Sequence, residues 1–196
     1  MLGYGARANV PTEAISLIAQ ADHLAAQIRA SEKNAAAHVV GHSVGGAVAM
    51  MLARQHPEMV VSLIDVEGNF TLGDAFWTSK LAAMTLSEIE TLLRDYQSDP
   101  SGWLTRAGIE PMPERIATAS RGLRAQPAAT VKAMAQAVIE TTSRPDYLSD
   151  VKAVLDSGIP MHLFACGLAC PRIRAASGPQ PDDSGGDGAY DDVGSA

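Results

Sequence analysis

Ala37-His38-Val39-Val40-Gly41-His42-Ser43-Val44-Gly45-Gly46 is the stretch that decides the fold of this chain. Its first half is short and β-branched and stops at a glycine, which predicts a buried strand over 37–41. Its second half opens a helix over 45–56, where Gly45, Gly46, Ala47 and Ala49 leave a low face for close packing. His56-Pro57 ends that helix, because proline disfavours helical backbone at the residue before it. Residues 59–65 are then almost continuously apolar, the pattern of a parallel strand covered on both faces. Strand, helix and strand within about 30 residues form a βαβ unit.

At the strand-to-helix junction, Gly41-His42-Ser43-Val44-Gly45 has the form G-x-S-x-G. A serine on so sharp a turn sits in strained backbone with its hydroxyl exposed above a helix N-terminus. Side chains two positions to either side would collide with the neighbouring strand and helix, so glycine is expected there. The Val44 amide is then the expected donor to an oxyanion. An ordinary βα turn with a capping serine carries the same letters; the β-branched run before and the small-residue helix after favour the nucleophile.

Outward from this unit, residues 12–30 place Ile15, Leu17, Ile18, Ala21, Leu24, Ala25 and Ile28 at helical spacing, with Thr12 as the expected N-cap. Leu2-Gly3-Tyr4-Gly5 before it is expected to be a loop. Past Gly68 the character changes. Residues 74–141 show no strand pattern but helical stretches at 86–97, 113–124 and 127–141, separated at Asp99-Pro100-Ser101-Gly102, Pro111-Met112-Pro113 and Gln126-Pro127. A last helix at 146–157 leads through Gly158-Ile159-Pro160 into a third strand ending at Cys166. Residues 171–196 hold five Gly and five Asp and almost no large aliphatics, which predicts disorder. The expected organisation is a first core part over 1–69, a helical insertion over 70–145, a second core part over 146–170, and a tail over 171–196.

Composition narrows the function. The 196 residues are 46% hydrophobic and 19% charged, enough for a packed core. Fifteen Lys and Arg against 22 Asp and Glu give a net charge of −7 with no basic run, which speaks against nucleic acid. Cys166 and Cys170 make neither a disulfide framework nor a zinc spacing. No leader pattern and no apolar run of membrane-spanning length occur, so a cytoplasmic protein with no membrane partner is expected. No metal or organic cofactor is expected, and the sequence leaves the oligomeric state open.

The chain resembles the α/β-hydrolase superfamily over residues 2–167. The resemblance is carried by Leu2-Gly3-Tyr4-Gly5, by His38 to Gly46, by Ala53-Arg54-Gln55-His56-Pro57-Glu58 and by Ile159-Pro160 before the last strand. It implies an α/β fold: part of a hydrolase core, a short parallel sheet flanked by helices, with a helical cap where the insertion falls. It also implies an esterase-like serine hydrolase. Ser43 would attack an ester, a similar acyl bond or a carbon–carbon bond, and serine rather than aspartate at 43 points away from epoxide hydrolases. Some members place their acid after the strand that Glu67 follows, which makes Glu67 the candidate acid, against the alternative of a loop carboxylate or cap hinge. His42, Phe70 and Trp77 are candidate substrate-binding residues. Phe70, Phe76, Trp77, Met84 and Trp103 suggest a small-molecule substrate with an apolar acyl group or ring, though core packing explains them equally well.

Set beside that family, the chain looks truncated at both ends. The strands expected before Leu2, the loop with the second oxyanion donor, and the late histidine are not in it, for no histidine follows His162. Neighbouring strand residues point to opposite faces, so His42 is expected to be a wall residue. His56 is expected at the C-terminal dipole of its helix, His23 on the first helix, His38 at the strand end remote from the serine, and His162 in the core. A truncated or non-catalytic relative is therefore the alternative to an active hydrolase.

Overall fold

The computed structural model describes residues 1–31, 35–68 and 75–164. Its sheet has three parallel strands in the order β1 (Ala37–His42), β2 (Val60–Val66) and β3 (Met161–Phe164). α2 (Val44–Gln55) connects β1 to β2, completing the βαβ unit. His42 pairs with Val66 and Val66 with Phe164, so the three carboxyl ends lie level.

α2 packs on one face of the sheet and is covered in turn by α1 (Leu17–Arg29), α7 (Ala128–Thr142) and α8 (Tyr147–Asp156). Its residues from Gly46 to Ala53 are all buried, as their small or unbranched side chains allow. The main core joins these to Leu17, Ala21, Leu63, Met134, Val138 and Tyr147. The expectation of a sheet covered on both faces fails among the described residues: His38, Val40 and His42 alternate as exposed positions along β1, and Phe164 is exposed on β3. An unbroken apolar run requires burial of alternate residues only; the other half needs a second helical layer, and no described helix packs there. His162 is likewise exposed on β3, not in the core.

The helical insertion contains α3 (Phe76–Ala83), α4 (Leu86–Ser98), α5 (Pro100–Arg106), α6 (Pro113–Arg124) and α7, with no strand among the described residues. α4 opens with a reciprocal cap in which Thr85 accepts from the Glu88 amide and Glu88 accepts from the Thr85 amide. α5 occupies the segment expected to be a break. Asp99-Pro100 is a turn signal, but here Asp99 accepts from the Gly102 amide at 2.8 Å and Pro100 takes the first helical position, where no N–H is needed.

At the N-terminal side, the expected cap at Thr12 is displaced. Thr12–Ala14 is a 3-10 turn, Ile15 is extended and buried, and Ser16 caps α1 by accepting from the Ala19 amide at 3.0 Å. Burying Ile15 forces the break, and the next hydroxyl takes over the cap. Gly5–Arg7 forms a second 3-10 turn within the expected loop. Gln20, fully buried, accepts from the Leu2 amide at 2.8 Å and donates to its carbonyl at 2.9 Å, and Thr130 donates to the Gly3 carbonyl at 2.9 Å. Those bonds pin the first residues to α1 and α7. Cys166, Cys170, Phe70 and the tail over 171–196 lie outside the described residues.

Candidate active site

Ser43 stands between β1 and α2 with φ of 53° and ψ of −121°. Its amide donates to the Val66 carbonyl of β2 at 2.9 Å, and its own carbonyl accepts from the Gly46 amide at 2.9 Å. The turn is therefore tied to the neighbouring strand on one side and to the helix on the other. The strain has a local reason at Gly41, where a Cβ would lie 2.5 Å from the Gly45 carbonyl oxygen. At Gly45 the expected collision is absent, since a Cβ there meets nothing within 4 Å. The steric demand has moved one residue on: at Gly46 a Cβ would lie 2.4 Å from an Asp65 carboxylate oxygen. Val44 is the first residue of α2, so its amide is among the helix's first-turn donors that have no partner within the helix.

Glu67 is the second strained position. Ser43 and Glu67 are the two non-glycine residues with positive φ among those described, Glu67 at 52°. Its amide donates to the Phe164 carbonyl at 2.8 Å, and its carboxylate lies 3.7 Å from His42 Nε2. Because His42 and Val66 are register partners, the residues that follow them, Ser43 and Glu67, emerge side by side at the sheet's carboxyl edge. Strained non-glycine backbone of this kind clusters at functional sites.

Three of the other histidines stay away from this edge. His38 Nδ1 is 2.7 Å from Ser62 Oγ at the start of β1. His56, which caps the far end of α2, bonds Asp22 Oδ1 at 2.7 Å and meets Arg29 at 3.4 Å. His23 lies on α1, its pKa lowered by partial burial, Arg7 and the N-terminal ammonium. All five histidines are described, and none hydrogen-bonds Ser43.

The aromatic candidates among the described residues do not converge on the elbow. Trp77 is half-exposed on α3 with Lys80 Nζ 6.0 Å from its ring centre, Phe76 is more exposed still, and Trp103 tilts against Tyr96 at 6.4 Å. Met84 packs with Ile89, Leu93 and Val131. Two open grooves of about 340 and 250 Å³ flank α4, one lined by Met84, Ser87 and Thr91 and the other by Glu90, Arg94 and Gln126. Neither includes Ser43.

Sequence reasoning missed Asp65. It is 1% exposed, its carboxylate is packed against Gly46 and Gly68, and neither oxygen has a hydrogen bond of ordinary geometry. Burial pushes its pKa up to about 6, an effect only partly offset by the nearby Gly68 amide and by His42. An aspartate inside a strand whose other residues are apolar but for Ser62 was the available signal. Among the described residues no group of three His, Cys, Asp or Glu could hold a metal ion, and no helix is long and apolar enough to cross a membrane.

A model of the alpha/beta hydrolase family matches residues 1–180. An AB hydrolase superfamily protein of Gibberella zeae is 56% identical over 41 residues, which are 21% of this chain and 14% of that relative's length.

Proposed function

The chain belongs to the alpha/beta hydrolase family, and on that premise we propose that it is a serine hydrolase whose nucleophile is Ser43. The observation that carries the reading is the strained backbone at Ser43, directly before the Val44 amide at the start of a 12-residue helix. The Ser43 hydroxyl attacks the carbonyl carbon of an ester or similar acyl bond, the alcohol leaves with a proton, and water then cleaves the acyl-serine. The Val44 amide supports the negative charge on the carbonyl oxygen in both steps. Glu67 is the candidate acid, placed beside Ser43 by the strand register. The helical segment from residue 70 to 145 is the candidate cap. The proposed substrate is a small molecule with an apolar acyl group, and the proposed compartment is the cytoplasm.

A second reading, a relative that does not turn over, is favoured by one observation: no imidazole of this chain hydrogen-bonds Ser43. Serine without a base loses several orders of magnitude in rate. The two readings separate under a fluorophosphonate probe followed by peptide mass analysis. Labelling at Ser43 that disappears in Ser43→Ala is expected from the hydrolase reading; an inert Ser43 in folded protein rejects it. Turnover of p-nitrophenyl acetate or butyrate by this chain is expected to be slow and indifferent to Glu67→Gln, since the imidazole beside that carboxylate, His42, does not hydrogen-bond Ser43. Rapid turnover abolished by Ser43→Ala would instead require a histidine to reach the serine, and His42→Ala and His162→Ala would identify it.

A further inference from the structure

We infer that Asp65 is a positioning residue of the nucleophile turn, competent when its carboxyl is neutral and opposing the reaction when ionised. This rests on the reading of Ser43 as the nucleophile. Asp65 touches the turn from beneath. Its carboxylate lies against the Gly46 Cα in the first turn of α2 and against Gly68 after β2, so close that a methyl at either position would overlap it. The adjoining Val66 carbonyl holds the Ser43 amide, and the Gly46 amide closes on the Ser43 carbonyl. A change in Asp65 is thus one residue from both bonds that fix the serine.

The surroundings set the sign. α2 brings no ionisable side chain from Val44 to Ala53, and β3 places Leu163 opposite Asp65. His42, on the opposite face at the end of β1, acts on it only through its charge, and Glu67 follows two residues on with its own carboxylate turned to His42. From α8 comes Tyr147, fully buried, its hydroxyl also without a hydrogen bond and its ionisation suppressed by burial and then by the charges of Asp65 and Asp150, against Arg144. A neutral carboxyl sits in this pocket at small cost. A carboxylate there is buried with only the Gly68 amide beside it and places negative charge beneath the helix N-terminus that must also serve the oxyanion. The two negative charges repel each other across the first turn of α2, so ionising Asp65 raises the barrier to forming the tetrahedral intermediate. Burial keeps the carboxyl neutral up to about pH 6, which makes the turn most reactive on the acid side of neutrality.

The test compares rates of fluorophosphonate labelling at Ser43 in the unmodified chain and in Asp65→Asn from pH 5 to pH 8. Any dependence on the probe or on other groups is common to both proteins and cancels in the ratio. The ratio of Asn to Asp rates is expected near one at pH 5 and about tenfold at pH 8. A ratio that does not change with pH overturns the role of Asp65 and leaves Ser43 as a nucleophile. No labelling of either folded protein at any pH removes the nucleophile reading and this inference together. Should the Asn variant not fold, Asp65→Ser gives the same comparison, its rate relative to the unmodified chain expected to rise as pH passes through about 6.

Discussion

The two faces of the sheet are made by alternate residues of the same strands, yet they differ in environment where α2 lies against them. Toward α2, Gly41, Leu63 and Asp65 are buried; on the opposite side Val40 is 66% exposed and Phe164 58%. Hydrophobicity does not separate them, since Val40 is as apolar as Leu63. What separates them is the helix α2, which the chain lays on one face only among the described residues. The chemistry divides in the same way. Asp65 and the helix N-terminus belong to the covered side, whereas His42 and Glu67 stand at the exposed rim.

The strongest way to test that division is to cut into the covered face. Leu63 has no exposed surface and joins the main core. Leu63→Ala is expected to lower unfolding free energy by roughly 2–5 kcal/mol, through lost transfer energy plus the cavity it leaves. Urea unfolding measures this directly. A loss below about 1 kcal/mol would mean that the face is far less tightly packed than its burial indicates.

The next effect is a gain. With an ordinary pKa of 3.8 and a folded-state value of about 6, Asp65 ionises in the unfolded chain first. Between about pH 4 and pH 6 the unfolded state therefore releases its proton while the folded state keeps it, and stability falls as pH rises. Above that window the loss is complete, at up to about 3 kcal/mol. Asp65→Asn, which has no proton to lose, should match the unmodified protein at pH 4 and be the more stable of the two at pH 8. Thermal melts at both pH values check it; equal stability at pH 8 would show that the carboxylate is accommodated.

Much of this was legible in the sequence, and the failures have identifiable causes. The strands and most helix bounds follow from β-branched runs and apolar spacing, which are local properties. Ser43 was legible because its turn imposes glycine at position 41. The demand at Gly46 was not, because it arises from Asp65, a residue 19 positions later that only the β2 register brings beneath the helix. Positive φ at Glu67 leaves no mark in the letters, as any side chain can be forced there by its surroundings. Coverage of the second face is a tertiary property that no apolar run encodes. At Asp99-Pro100 and Thr12, turn and cap share one vocabulary, and packing chose between them.

A smaller effect distinguishes the two candidate caps of α1, the helix that covers α2. Ser16 accepts from the Ala19 amide, whereas Thr12 begins a separate 3-10 turn. Ser16→Ala is expected to cost about 1 kcal/mol, the usual loss of an N-cap. Thr12→Ala should be close to neutral. The reverse order in chemical denaturation would place the start of α1 at residue 12.

The smallest expected effect probes the exposed face itself. Val40 sits mid-strand in β1, paired with Ile64, and its side chain is largely in water. Lysine keeps the strand's backbone bonds and can extend its ammonium into solvent, so Val40→Lys should change stability by no more than about 0.5 kcal/mol. Its effect should appear in association instead. β1 is an edge strand among the described residues, and a charge beside an open edge discourages pairing with another chain. Light scattering against concentration should show less self-association for Val40→Lys than for Val40→Thr, with coincident urea curves for the two. A loss above about 2 kcal/mol in the lysine variant would show that Val40 is buried in the folded protein, because that is the cost of putting an unpaired charge into an apolar interior.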